Sequence, residues 1–169
     1  MQHFRRTLFI ASLSISAFSC QYPQVEPPGW AEQRVSFFSL VCPQPCLISE
    51  QARSGDSTYL SPFEQGIIRF DHIKIEYSAL EVKGNDYNPG PCRDHTFMKA
   101  RKYTIENQNL NNIQSRIAYV EEGDRYLAEL CCSNNRFDKQ LYLFADSLDA
   151  LQLAKVLDVF KTVKFPDGE

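Results

Sequence analysis

Residues Ser115–Cys132 read SRIAYVEEGDRYLAELCC. Two runs rich in β-branched, aromatic and aliphatic residues, Ser115–Glu121 and Arg125–Cys132, flank Glu122-Gly123-Asp124. A turn-forming triplet between two extended runs is the signature of a β-hairpin. This hairpin predicts an antiparallel sheet.

Working outward, Gln33–Val41 (QRVSFFSLV) reads as a strand closed by the loop Cys42-Pro-Gln-Pro-Cys46. Leu47–Pro62 is polar and Ser-rich and reads as a loop or short helix. In Gly66–Val82, the mostly apolar set Asp71, Ile73, Ile75, Tyr77 and Ala79 alternates with Phe70, His72, Lys74, Glu76 and Ser78. That period of two marks a half-buried strand, with a break near Asp71-His72 able to split it in two. Lys83–Asp94 (KGNDYNPGPCRD) concentrates Gly, Asn, Asp and Pro and reads as a loop. Phe97–Asn107 and Lys139–Ala145 supply two more strands.

From Ser147 to about Val163 the period changes. Ala150, Leu153, Ala154, Val156, Leu157, Phe160 and Val163 recur at helical spacing. Asp146 or Ser147 is placed to cap the start, Lys161 and Lys164 suit the negative end of the helix dipole, and Pro166 stops the helix. The expected class is α+β: an antiparallel β-sheet with a C-terminal amphipathic helix packed on one face.

The start of the chain, MQHFRRTLFIASLSISAFSC, has a basic n-region at Arg5 and Arg6, an apolar segment from Thr7 to Phe18, and small residues at Ala17 and Ser19. That is the layout of a secretory signal peptide. The apolar run is too short for a stable span of a bilayer core of roughly 30 Å. The expected organisation is a signal peptide at 1–19, a Pro-rich tether at 20–32 and a single α+β domain at 33–169. The expected compartment is the periplasm. Cys20 resembles the lipid-modified cysteine of bacterial lipoproteins. Ser19 fits the lipobox pattern, while Ala17 and Phe18 depart from it. The resemblance implies an anchor to the outer membrane through Cys20; ordinary signal cleavage is the alternative. The order of a meandering sheet closed by a late helix is similar to the PsbP-like fold of small bacterial lipoproteins.

The chain carries 18 basic and 21 acidic residues. Loss of Arg5 and Arg6 with the leader leaves 16 against 21, a net charge of −5. A mildly acidic domain is a poor nucleic-acid binder, which has to neutralise phosphates with Lys and Arg. In an oxidising compartment Cys42, Cys46, Cys92, Cys131 and Cys132 read as disulfide candidates before metal ligands. Cys131 and Cys132 are neighbours on a strand, so they point to opposite faces. One of them is expected to staple a loop cysteine to the sheet.

Catalytic patterns are weak. Cys92-Arg93-Asp94-His95 crowds a thiol, a cation, a carboxylate and an imidazole, but adjacency in a Pro-rich loop does not ensure the geometry of a nucleophile and its base. His72 reads as a partly exposed sheet residue. No cofactor motif, phosphate loop or metal-ligand spacing stands out. The binding candidates are Asn85, Tyr87, Asn88 and Arg93, of which Tyr and Arg are types enriched in hot spots. A second polar loop, Asn107–Gln114, has adaptable hydrogen-bonding groups. The expectation is a non-catalytic envelope protein that binds a protein partner. It resembles in class the periplasmic immunity proteins that neutralise secreted antibacterial toxins. The alternatives are a periplasmic enzyme using Cys92 and His95, and a structural lipoprotein of an envelope assembly.

Overall fold

The computed structural model describes residues 28–51, 64–81, 103–110, 113–134 and 138–166. The elements are β1 (Trp30–Val35), β2 (Phe38–Pro43), β3 (Leu47–Gln51), β4 (Glu64–Phe70), β5 (Ile73–Glu81), β6 (Thr104–Leu110), β7 (Ile113–Glu122), β8 (Arg125–Ser133), β9 (Lys139–Leu148) and α1 (Ala150–Lys161). Seven strands form an antiparallel sheet in the order β3-β4-β5-β9-β8-β7-β6, and β1 and β2 pair as a separate hairpin. The one helix among the described residues packs on the sheet against β8 and β9, and also meets β2.

Local chemistry explains the turns. The β7–β8 hairpin pairs Glu122 with Arg125 around Gly123-Asp124. Gly123 has φ 67°, the positive value that the first position of a type II′ turn needs. The β4–β5 hairpin pairs Phe70 with Ile73. Both residues between them, Asp71 and His72, have positive φ, as a type I′ turn requires. His72 is therefore an exposed turn residue rather than part of a strand.

Strand alternation sends one set of side chains to the helix. Ile73, Ile75, Tyr77 and Ala79 of β5 are buried, with Leu141, Leu143 and Ala145 of β9 and Ala128, Leu130 and Cys132 of β8. From α1 come Leu153, Val156, Val159 and Phe160. The β1–β2 hairpin adds Val35, Phe38, Leu40 and Cys42 to this core. The Phe38 and Tyr77 rings meet edge to face, 5.7 Å between centroids, a favoured aromatic geometry.

The chain after the helix clamps the hairpin in place. The Val41 amide donates to Thr162 Oγ1 at 2.8 Å. Ser39 and Lys164 exchange backbone hydrogen bonds of 2.8 and 2.9 Å. The same core is thus closed by contacts between residues about 120 positions apart in the chain (121 for Val41 and Thr162).

Several expectations need correction. The run Gln33–Val41 is two strands, because Ser36 takes φ 52° and reverses the chain. β1 begins at Trp30, so the separate β1–β2 hairpin starts inside the segment expected to be a tether. Leu47–Gln51 is a strand, paired along its length with β4. Asn107–Gln114 is not a loop: β6 runs to Leu110 and β7 starts at Ile113. The helix cap is Asp149, whose carboxylate accepts from the Gln152 amide at 2.8 Å while Gln152 Oε1 accepts from the Asp149 amide at 2.9 Å. This reciprocal capping box displaces Asp146 and Ser147, which stay in β9. On the helix Val159 is buried, while Ala150 and Ala154 are exposed and Leu157 is half-buried.

Candidate functional site

The side chains pointing away from α1 define a second face of the sheet. Register places them in rows. Glu76 of β5, Phe144 of β9 and Glu129 of β8 form one row across three adjacent strands. Ser78, Tyr142 and Cys131 form the next. Among the described residues, Glu76, Ser78, Tyr103, Leu127, Glu129, Tyr142 and Phe144 line a pocket of about 360 Å³ on this face.

Its walls are aromatic and its polar groups are acidic. The Tyr142 and Phe144 rings lie nearly parallel, 18° apart, with centroids separated by 6.5 Å. Two residues apart on β9, they stack because side chains i and i+2 share a face. Glu76 is an exposed rim carboxylate and its Oε1 accepts an ion pair from Lys74 at 2.5 Å. Glu129 is only 5% exposed. A carboxylate at that depth has to be compensated by hydrogen bonds or opposite charge. Tyr142 supplies one hydrogen bond. Burial pushes the Tyr142 phenol well above its ordinary pKa, and the charge of Glu129, the hydrogen bond to it, and the nearby Tyr103 and Glu76 add to the rise. The phenol therefore keeps its proton and serves as a donor, not as a base.

β9 also bulges beside the pocket. Between Tyr126 and Ala128 of β8 the register shifts, and β9 takes the residues Asp146 and Ser147 into the gap, with Ser147 at φ 55°. Bulges of this kind re-aim neighbouring side chains; Leu127, which lines the pocket, sits opposite.

Of the candidate binding residues, Asn85, Tyr87, Asn88 and Arg93 lie outside the described residues, as do Cys92, His95 and Cys20. Cys42 and Cys46 are bridged across the Pro-Gln-Pro loop. Cys131 is also disulfide-bonded, and its partner lies outside the described residues. Cys132 is a thiol in the core whose pKa burial raises. The two cysteines do point to opposite faces: Cys132 to the helix side, Cys131 to the row of Ser78 and Tyr142.

The pocket was not among the candidates drawn from the sequence. Glu76 and Ser78 belong to the polar phase of the β5 alternation, which by itself signals only a solvated face. The stronger signal is Glu129, a single carboxylate inside the apolar run YLAELCC. A charge on a central strand is unusual unless it is partnered. The sequence matches no protein-family model and no curated protein.

Proposed function

We propose that this chain is a non-catalytic exported protein of the cell envelope that holds a protein partner on the second face of its seven-stranded sheet. One observation carries the reading: an open, aromatic-walled pocket built on the three central strands, with carboxylates on both sides. Recognition surfaces concentrate their energy in aromatic anchors and desolvated polar groups of this kind. The N-terminal leader and bridged cysteines fit an oxidising compartment. The lipobox-like Cys20 would tether the domain to the outer membrane. Among the described residues, the C-terminal helix, amphipathic by sequence, packs on the opposite face. In its most specific form the reading is an immunity protein that neutralises a secreted antibacterial effector, a role that mild acidity and disulfides favour.

Photo-cross-linking from within the envelope tests it. A photoreactive residue at Leu127, in the pocket, should give a discrete adduct with one protein. The same residue at Leu151, exposed on α1, should not. Equal labelling from both positions, or none from Leu127, contradicts the reading. An enzyme built on Cys92 and His95 predicts instead that His95→Ala abolishes the phenotype with folding intact.

A further inference from the structure

We infer that the pocket between Glu76 and Glu129 receives a guanidinium group, the side chain of an arginine presented by the partner. The inference deepens the protein-binding reading and rests on it. Phe144 is the register partner of both carboxylates, Glu76 on β5 and Glu129 on β8. A planar cation lying over the Phe144 ring therefore has one carboxylate on each side. The ring faces attract the cation through their quadrupole, and the carboxylates accept its N–H groups.

Several features select arginine. The Tyr142 and Phe144 rings stand stacked and nearly parallel, and the guanidinium is flat, weakly hydrated and stacks on aromatic faces, unlike the compact, strongly hydrated ammonium of lysine. The volume of about 360 Å³ is near the lower limit of ligand pockets, which fits one long side chain better than a larger ligand. Glu129 is held as a hydrogen-bond acceptor by Tyr142 and is nearly buried, so its attraction for a cation is less screened than on the surface. The present partner of Glu76 is Lys74, in a pair with both side chains about half exposed. Such pairs hold weakly, so an incoming arginine displaces Lys74 at small cost.

The probe is N-acetyl-arginine amide, with N-acetyl-citrulline amide as its uncharged isostere, added at millimolar concentration to the mature protein. Aromatic NMR signals report binding. The arginine derivative should shift the Tyr103, Tyr142 and Phe144 ring signals saturably, and the citrulline derivative should not. Glu76→Gln, at an exposed position that leaves the core intact, should weaken binding about fivefold or more, and Glu129→Gln about tenfold or more. Equal shifts with citrulline, no saturable shift, or undiminished binding by Glu76→Gln overturns the assignment. If arginine fails to bind while Leu127 still cross-links a protein, the cation assignment falls and the binding face stands. If arginine binds and Leu127 captures nothing, the pocket keeps its cation chemistry and the protein-binding reading falls.

Discussion

Glu76 and Glu129 lie level with each other on either side of β9, each paired in register with Phe144. Adjacent strands run about 4.8 Å apart, so the two backbones are roughly 10 Å from each other. That spacing is wide enough to admit a side chain and narrow enough for both carboxylates to reach it. It follows directly from the insertion of the last strand, β9, between β5 and β8.

Tyr142→Phe removes the donor to Glu129 and leaves a nearly buried carboxylate with one bond fewer. It should destabilise the fold by about 1–3 kcal/mol, read as a shift in the urea midpoint at unchanged slope. No shift would mean that Glu129 draws its compensation from elsewhere.

Tyr77→Phe should act in the opposite direction. Tyr77 is 2% exposed, and its hydroxyl has no hydrogen-bond partner among the described residues. Deleting that oxygen removes an unsatisfied polar group and should stabilise by about 1 kcal/mol. The Tyr77 ring also lies across Gly66, its register partner. A Cβ on Gly66 would crowd the Ser49 carbonyl oxygen and stand 2.5 Å from Tyr77 Cε1, so Gly66→Ala should cost about 1–3 kcal/mol through overpacking. In a Tyr77→Ala background the part of that cost due to the ring should vanish, since the two residues are in contact, while the part due to the Ser49 carbonyl remains.

Stability should fall at alkaline pH. Burial raises the pKa of both Tyr77 and Tyr142 in the fold, with Glu50 and Glu64 adding to the first and Glu129 to the second. The protonated phenols are favoured in the native state, so their contribution is complete below the ordinary tyrosine pKa of about 10. Above it the unfolded chain loses protons first, and stability declines as pH rises. Chemical denaturation at about pH 9 and about pH 11 measures the slope, which the double Phe variant should flatten. An equal slope in wild type and double variant would contradict this account.

The helix gives a graded prediction. Phe160 and Val156 are fully buried, while Leu157 is half-buried. Phe160→Ala should cost about 3–5 kcal/mol and Leu157→Ala clearly less, measured by thermal melting. Equal losses would place the two side chains in equivalent surroundings, contrary to the packing described.

The alternation of β5 and the triplet Glu122-Gly123-Asp124 made the sheet readable, because period and turn chemistry are local. The break read near Asp71-His72 is a turn between β4 and β5, whereas Ser36 hid a turn, since it is not the glycine that normally marks positive φ. Leu47–Gln51 is polar enough to pass for a loop; only pairing with β4 makes it a strand. The pocket was illegible for a different reason. Its residues come from β5, β8, β9 and the position just before β6, and nothing local reports that β9 returns between β5 and β8.

Disulfide mapping checks the second face chemically. A non-reducing peptide map should show Cys42 joined to Cys46 and Cys131 joined to Cys92 or Cys20. A lipidated Cys20 has no thiol to give, which leaves Cys92. Cys132 should react with alkylating agents only after denaturation, because its thiol is buried and its pKa raised. Rapid native labelling of Cys132 would contradict its place in the core.

Export has its own test. Mass spectrometry of the mature chain should find residues 1–19 removed and a lipid mass on Cys20. A retained Met1 would remove the envelope from the account.

The binding face itself is tested most directly by filling the pocket from within. Ser78 is half-buried beside Tyr142, its register partner, and Ser78→Arg supplies the cation that the pocket is proposed to receive. The account predicts that this variant melts within a few degrees of the wild type and loses the adduct formed from a photoreactive residue at Leu127. An undiminished adduct from a folded Ser78→Arg protein would contradict it.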